Sequence, residues 1–148
     1  MDNSQIQIIL QLVIALVLGG IIGLERELKG KEAGLQTYSL VTLGACLFTI
    51  ITFGMFPHLF AVKTGISFDP SRVIQAVAIG VGFIGAGVII HRQSHTEGIT
   101  TAAGLWCSAA IGVAVGFRLY FLALTAVLLT TIILFVFGEF ERKFLKRD

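Results

Sequence analysis

The amino-acid sequence predicts an all-α fold: a polytopic membrane bundle of about five transmembrane helices, with the N-terminus outside and the C-terminus in the cytoplasm. Three observations predict it. Hydrophobic residues form 55% of the 148-residue chain, mean hydropathy is +0.90, and charged residues reach only 14%, roughly half the share usual in globular proteins. A water-soluble domain of this size would lack the polar side chains to cover its surface, and lipid as solvent removes that demand. The apolar residues also fall into runs of the length that a hydrocarbon core of about 30 Å requires, and the basic residues collect between and after them.

The runs are residues 6–24, 38–56, 73–91, 102–117 and 119–138. The first has no basic residue before Arg26 and continues into Gly-Leu-Glu-Arg-Glu with no small-residue cleavage pattern, so it reads as a retained span rather than a signal peptide. The fourth is short and rich in glycine and alanine. Joined to the fifth it would be far too long for one crossing, so Gly116 is expected to stop the helix and Arg118 to anchor a tight turn at the interface. The chain is expected to be one transmembrane domain over residues 1–148, with no cytoplasmic ligand-sensing domain.

Orientation follows from Lys and Arg alone. With five spans, Arg26, Lys29, Lys31, Arg92, Arg142, Lys143, Lys146 and Arg147 share one side, and Lys63, Arg72 and Arg118 share the other. Eight against three places the tail in the cytoplasm of a bacterial inner membrane, where its basic residues meet anionic headgroups. A formal net charge of +2 is too small to suggest nucleic acid. Cys46 and Cys107 lie inside apolar runs, so no disulfide framework is indicated.

Small residues at every fourth position let helix backbones approach closely in lipid. Span four carries Gly104, Ser108, Gly112 and Gly116; span three carries Ala78, Gly82 and Ala86 with Gly85 alongside; span one carries Ala15, Gly19 and Gly23. The expectation is a bundle centred on spans one, three and four, with the bulky fifth at the lipid-facing periphery. The same stripes also suit a homo-oligomer contact. Gly80-Val-Gly-Phe-Ile-Gly-Ala-Gly87 contains GxGxxG, but a dinucleotide fingerprint needs a preceding strand and a following helix, which mid-membrane sequence does not offer.

An offset of 64 residues superposes Gly34 on Gly98, Thr37 on Thr101 and Ala45 on Ala109, suggesting that spans one and two are repeated in spans three and four. Thr37 and Thr101 are then expected to cap their helices, and the two converging N-termini to favour carboxylates or anionic ligands.

Ionisable residues at a span boundary are functional candidates because burial is costly for them. Glu25, Arg26 and Glu27 follow span one directly, so at least one should face the bundle, with Arg92 or Glu97 as partner; an interfacial cluster that fixes topology is the plainer reading. Asp69-Pro70-Ser71-Arg72 has the pattern of a helix start, Asp at the cap and Pro next, and Asp69 is also an external cation contact. His58, His91 and His95 lack metal-ligand spacing, and no nucleophile–base pair is recognisable, so an enzyme is not expected. No cofactor is evident, with magnesium a candidate.

Taken in order, Gly20-Ile-Ile-Gly-Leu-Glu-Arg-Glu27, Ala33-Gly-Leu-Gln-Thr37, Asp69-Pro-Ser-Arg72, the Gly80–Gly87 run and Gly98-Ile-Thr-Thr-Ala-Ala-Gly-Leu-Trp106 resemble the MgtC/SapB family of bacterial inner-membrane proteins, from about residue 12 to residue 138. The resemblance implies a five-span domain, a link to growth at low magnesium, survival in macrophages for some pathogens, and, for some members, restraint of the proton-driven ATP synthase. The match at Leu105-Trp-Cys-Ser108 adds Cys107 to the candidates. Tyr38 stands where many members have histidine or asparagine, which leaves its phenol as the only polar group there. Many members also continue into a soluble cytoplasmic domain. Two functions follow: a regulator binding another membrane protein, such as the ATP synthase or a cation pump, or a transporter moving magnesium or another ion past Glu25, Glu27, Glu97 and Asp69. Magnesium takes carboxylates and retains waters, and no acidic residue lies well inside a span, which favours the regulator.

Overall fold

The structure, a computed structural model, describes residues 3–60, 69, 71–91 and 96–144. The elements are α1 (Asn3–Leu28), α2 (Leu35–Phe60), α3 (Ser71–Val88), β1 (Ile90–His91), β2 (Thr96–Glu97), α4 (Ile99–Gly116), α5 (Tyr120–Ile132), a π-helical turn (Ile133–Phe137) and α6 (Gly138–Phe144). Five helices among the described residues are long and apolar enough to cross a membrane, the last running through the π-helical turn. Successive helices are antiparallel. The α1–α2 loop, the β1–β2 hairpin and α6 lie at one end of the bundle, the Arg26 end; Asp69 and the α4–α5 turn lie at the other.

Two helix stops share one device. At Gly30, φ is 60°, Gly30 N–H donates to Glu27 O (3.0 Å) and Lys31 N–H to Arg26 O (3.1 Å). At Arg118, φ is 64°, Arg118 N–H donates to Val115 O (2.9 Å) and Leu119 N–H to Ala114 O (2.9 Å). This is the Schellman pattern, in which one left-handed residue turns the last carbonyls back on the following N–H groups. Glycine supplies that conformation without strain and arginine does not. The helix therefore ends at Gly116 as the sequence predicts, with the left-handed position falling on Arg118.

The centre of the bundle differs from the sequence expectation. α2 has its most extensive contacts with α1 and α4, whereas α3 packs chiefly on α4. Gly19 and Gly23 of α1 face Thr42, Tyr38 and Leu35 of α2, and Gly104, Gly112 and Gly116 of α4 face Tyr38, Thr42 and Thr49 of the same helix. Spans one, two and four form the core, not one, three and four. The reason lies in threonine. Thr42, Thr49 and Thr52 donate back to Tyr38 O (2.9 Å), Ala45 O (2.8 Å) and Phe48 O (2.8 Å), which satisfies the hydroxyls within the helix. Thr42 then packs beside Gly19 and Gly112, and Thr49 beside Gly116. Gly82, Gly80 and Gly87 of α3 meet open space, and only Gly85 touches a neighbour, Ala102. α5 is largely exposed, with Ala123 and Val127 buried, as expected for the periphery.

At the Asp69 end, Gln11 of α1 is 2% exposed. Its Nε2 donates to Val115 O (3.1 Å) and Gly116 O (3.0 Å). Together with Phe117 N–H on Val113 O (3.0 Å) and the turn bonds, it satisfies every carbonyl of the last α4 turn, groups that are costly to leave bare in lipid.

The repeat survives in part. α2 and α4 begin 64 residues apart, at Leu35 and Ile99, but α1 ends at Leu28 and α3 at Val88. Span three, expected through residue 91, gives way to a two-residue strand pair, Ile90 opposite Glu97 and His91 opposite Thr96. Gly98 closes it at φ 85°, its Cα against the Val88 carbonyl, where no side chain fits.

Candidate functional site

The Arg26 end gathers the charged residues. The last turn of α1 places Glu25, Arg26 and Lys29 together: Glu25 accepts from Arg26 Nε at 2.8 Å and lies 2.6 Å from Lys29 Nζ. Arg26 is 3% exposed, so the residue triplet does send one member into the bundle. Its partner is the adjacent Glu25, in place of the expected cross-loop partner; Arg92 lies outside the described residues. A buried guanidinium requires such pairing because desolvation of an isolated charge is prohibitive. Lys29 Nζ also sits 4.8 Å from the centre of the Phe135 ring and 3.4 Å from Leu134 O. It thus reaches the π-helical turn, where helical hydrogen bonding is displaced.

The starts of α2 and α4 meet here, as the sequence predicts, but neither threonine caps its helix. Glu27 accepts from Leu35 N–H at 3.0 Å and so covers the start of α2. The α4 cap position is Gly98, with no side-chain bond. Thr101, two residues into α4 and 1% exposed, donates through Oγ1 to Glu32 at 2.6 Å. Thr37 is half-buried in the first turn of α2. At the start of α2 a carboxylate, not a hydroxyl, takes the free N–H, where the helix field favours negative charge. The Thr101 hydroxyl holds the Glu32 carboxyl below its ordinary value.

Tyr38 locks the junction. It is fully buried, its hydroxyl donates to Thr101 O at 3.1 Å, its ring fits against Gly104 and its Cβ against Gly23. The phenol thus supplies the polar contact at this position.

Around these residues lies a cleft of about 1110 Å³, lined by Arg26, Lys29, Lys31, Glu32, Glu97, Thr100, Thr101 and Glu139, with Leu28, Ile99, Ile133, Leu134 and Phe137 as its apolar wall. Of the sequence candidates, Arg26, Glu97 and Thr101 line it and Glu25 braces it. Glu27 points to the α2 start, and Cys107 is half-buried in the middle of α4. Asp69 and Arg72 stand at the far end of the bundle. There Asp69 Oδ1 accepts from Ser71 N–H (2.9 Å) and Ser71 Oγ (2.7 Å), the helix-start role, and those bonds lower its carboxyl pKa. Ser108 is buried with its hydroxyl unpartnered among the described residues. Among the described residues no group of three His, Cys, Asp or Glu is placed to hold a metal ion.

Sequence reasoning missed Glu32, Lys29 and Lys31 as site residues and Gln11 as a structural one. Gln11 carried a signal, being an amide inside an apolar run. Glu32 carried none, because nothing local tells which loop carboxylate reaches a helix 69 residues away.

The chain is 37% identical over 142 residues to a protein of Escherichia coli strain K12 named "Putative magnesium transporter YhiD", covering 96% of this chain and 66% of that protein. It is 41% identical over 114 residues to Protein SapB of Bacillus subtilis, covering 76% of this chain and 49% of the relative. To Protein MgtC of Salmonella typhimurium strain LT2 it is 38% identical over 121 residues, 82% of this chain and 48% of that one. The chain therefore spans about half to two thirds of the length of these relatives. No solved structure matches it. The MgtC family pattern matches residues 12–143, from the glycine seam of α1 through the cleft to α6, and on that match the protein is a membrane-bound member of the MgtC family.

Proposed function

We propose that the protein is a multi-pass inner-membrane regulator linked to adaptation to low magnesium, acting on another membrane protein such as the proton-driven ATP synthase or a cation pump, and not an enzyme. One observation carries this reading. Of the buried polar groups between the two charged ends, Gln11, Thr42 and Thr49 direct their donors to backbone carbonyls, the Ser108 hydroxyl is unpartnered among the described residues, and Tyr38 closes the seam between α2 and α4. Hydrated magnesium needs carboxylates and room for waters along its route, and the α1–α2–α4 core offers close packing. The lipid-facing sides of α3 and α5 leave broad apolar surface for a neighbour in the bilayer. The Arg26 end is the cytoplasmic end in this reading, since most basic residues gather there; the N-terminus is then outside.

A second reading, magnesium transport, draws support from the name of the Escherichia coli relative and from the carboxylates at both ends. Reconstitution separates the two. Liposomes holding the purified chain and a magnesium-sensitive dye are expected to stay tight, while inverted vesicles containing the chain show slowed ATP-driven proton pumping. Magnesium flux abolished by Glu25→Gln or Asp69→Asn would overturn the regulator in favour of the transporter.

A further inference from the structure

We infer that the cleft at the Arg26 end is a binding site for the headgroup of an amine-bearing phospholipid, with the phosphate held by Arg26, Lys31 and the uncapped start of α4. The inference is independent of whether the protein regulates or transports.

Three features of the cleft converge on this ligand. The first is a set of unused donors. Glu25 engages Arg26 at Nε and, at 3.5 Å, Nη2, so Nη1 has no partner among the described residues, and Arg26 lines the cleft although its side chain is almost wholly buried. The first helical bond of α4 runs from Ala102 N–H to Gly98 O at 2.8 Å. The N–H groups of Ile99, Thr100 and Thr101 precede it, and no side chain among the described residues caps them. Guanidinium and helix-start N–H groups are the usual partners of phosphate oxygens.

The second feature is the charge balance. Arg26, Lys29 and Lys31 face Glu32, Glu97 and Glu139 in the lining, and Glu25 already serves both Arg26 and Lys29. Among the described lining residues positive and negative charges balance, so a bare anion gains little from them. A headgroup carrying a phosphate and an ammonium satisfies both signs at once.

The third feature is the wall. Leu28, Ile99, Ile133, Leu134 and Phe137 adjoin the charged residues, and Ile99 and Phe137 are exposed on the apolar flank. Polar cleft and apolar flank meet at the membrane boundary, where glycerol and the first methylenes of a lipid lie. A soluble phosphate ester shares the headgroup chemistry but makes no use of that wall.

The test uses the full chain in detergent, stripped of lipid and titrated under native mass spectrometry. Phosphatidylethanolamine is expected to bind in a one-to-one complex about tenfold more tightly than diacylglycerol of the same chains, and phosphatidylglycerol more weakly than phosphatidylethanolamine. Lys31→Glu, an exposed position that leaves folding intact, should lower phosphatidylethanolamine affinity severalfold; Arg26→Gln should lower it further where helicity is retained; Lys143→Glu, outside the cleft, should not change it. Equal binding of diacylglycerol, tighter binding of phosphatidylglycerol, or indifference to Lys31→Glu would overturn the inference. Complete displacement of the lipid by equimolar O-phosphoethanolamine would assign the same chemistry to a soluble ester and overturn the lipid.

Discussion

Replacing Gly112 with alanine tests the central seam most directly. A Cβ at Gly112 would fall within contact of the Thr42 carbonyl oxygen and 3.0 Å from Ala45 Cβ, whereas ordinary contact begins at 3.4 Å. The obstructing atom is backbone, so no rotamer change relieves it, and α2 and α4 must separate by about 1 Å. A gap of that size forfeits about a quarter to a half of each van der Waals well along the seam. Overpacking of this kind costs about 3 kcal/mol at the upper end of its usual range, against which alanine returns about 1 kcal/mol of helix propensity. The net loss is about 2 kcal/mol. Gly82→Ala is the matched control: its Cβ meets open space, so the propensity gain of about 1 kcal/mol is uncompensated. The two variants should differ by about 3 kcal/mol in reversible SDS unfolding from mixed micelles, followed by the fluorescence of Trp106, the single tryptophan. Equal stability of Gly112→Ala and the parent would refute the close approach of α2 and α4. A loss at Gly82→Ala would show the outer face of α3 packed against a second copy, the homo-oligomer contact that the stripes also suit.

Tyr38→Phe removes one buried hydrogen bond to Thr101 O and is expected to cost about 1 kcal/mol in the same unfolding assay, without loss of helicity by circular dichroism; an unchanged midpoint would mean that the phenol does not reach α4. Glu32 gives a pH dependence. Its carboxyl is held below the ordinary 4.5 by Thr101, so the stabilisation is complete above that value and disappears as pH falls through the depressed one. The thermal midpoint should therefore decline below about pH 4.5, and Thr101→Val should flatten the decline; an equal slope in both proteins would exclude this pair as its source.

Local chemistry made much of this protein readable in one dimension. Hydropathy over the length of a bilayer determined the five helices. Gly116 marked a stop, Asp69 a start, and the triplet Glu25, Arg26, Glu27 announced a charged boundary with one buried member. These features depend on neighbours within a turn or two, or on the solvent as a whole.

Pairing between helices was decided only in three dimensions. Span two carries no stripe of small residues, yet Thr42 and Thr49, their hydroxyls bonded to their own backbone, pack directly against glycines of α1 and α4. Span three looked central because of its glycines, most of which face outward. Where each loop carboxylate goes was likewise hidden: Glu27 takes the Leu35 N–H at the start of α2 and Glu32 the Thr101 hydroxyl, while the threonines expected to cap do not. Hydrophobic length is a sum over one segment, but a close approach is a relation between two surfaces, and only the folded chain states which surfaces meet.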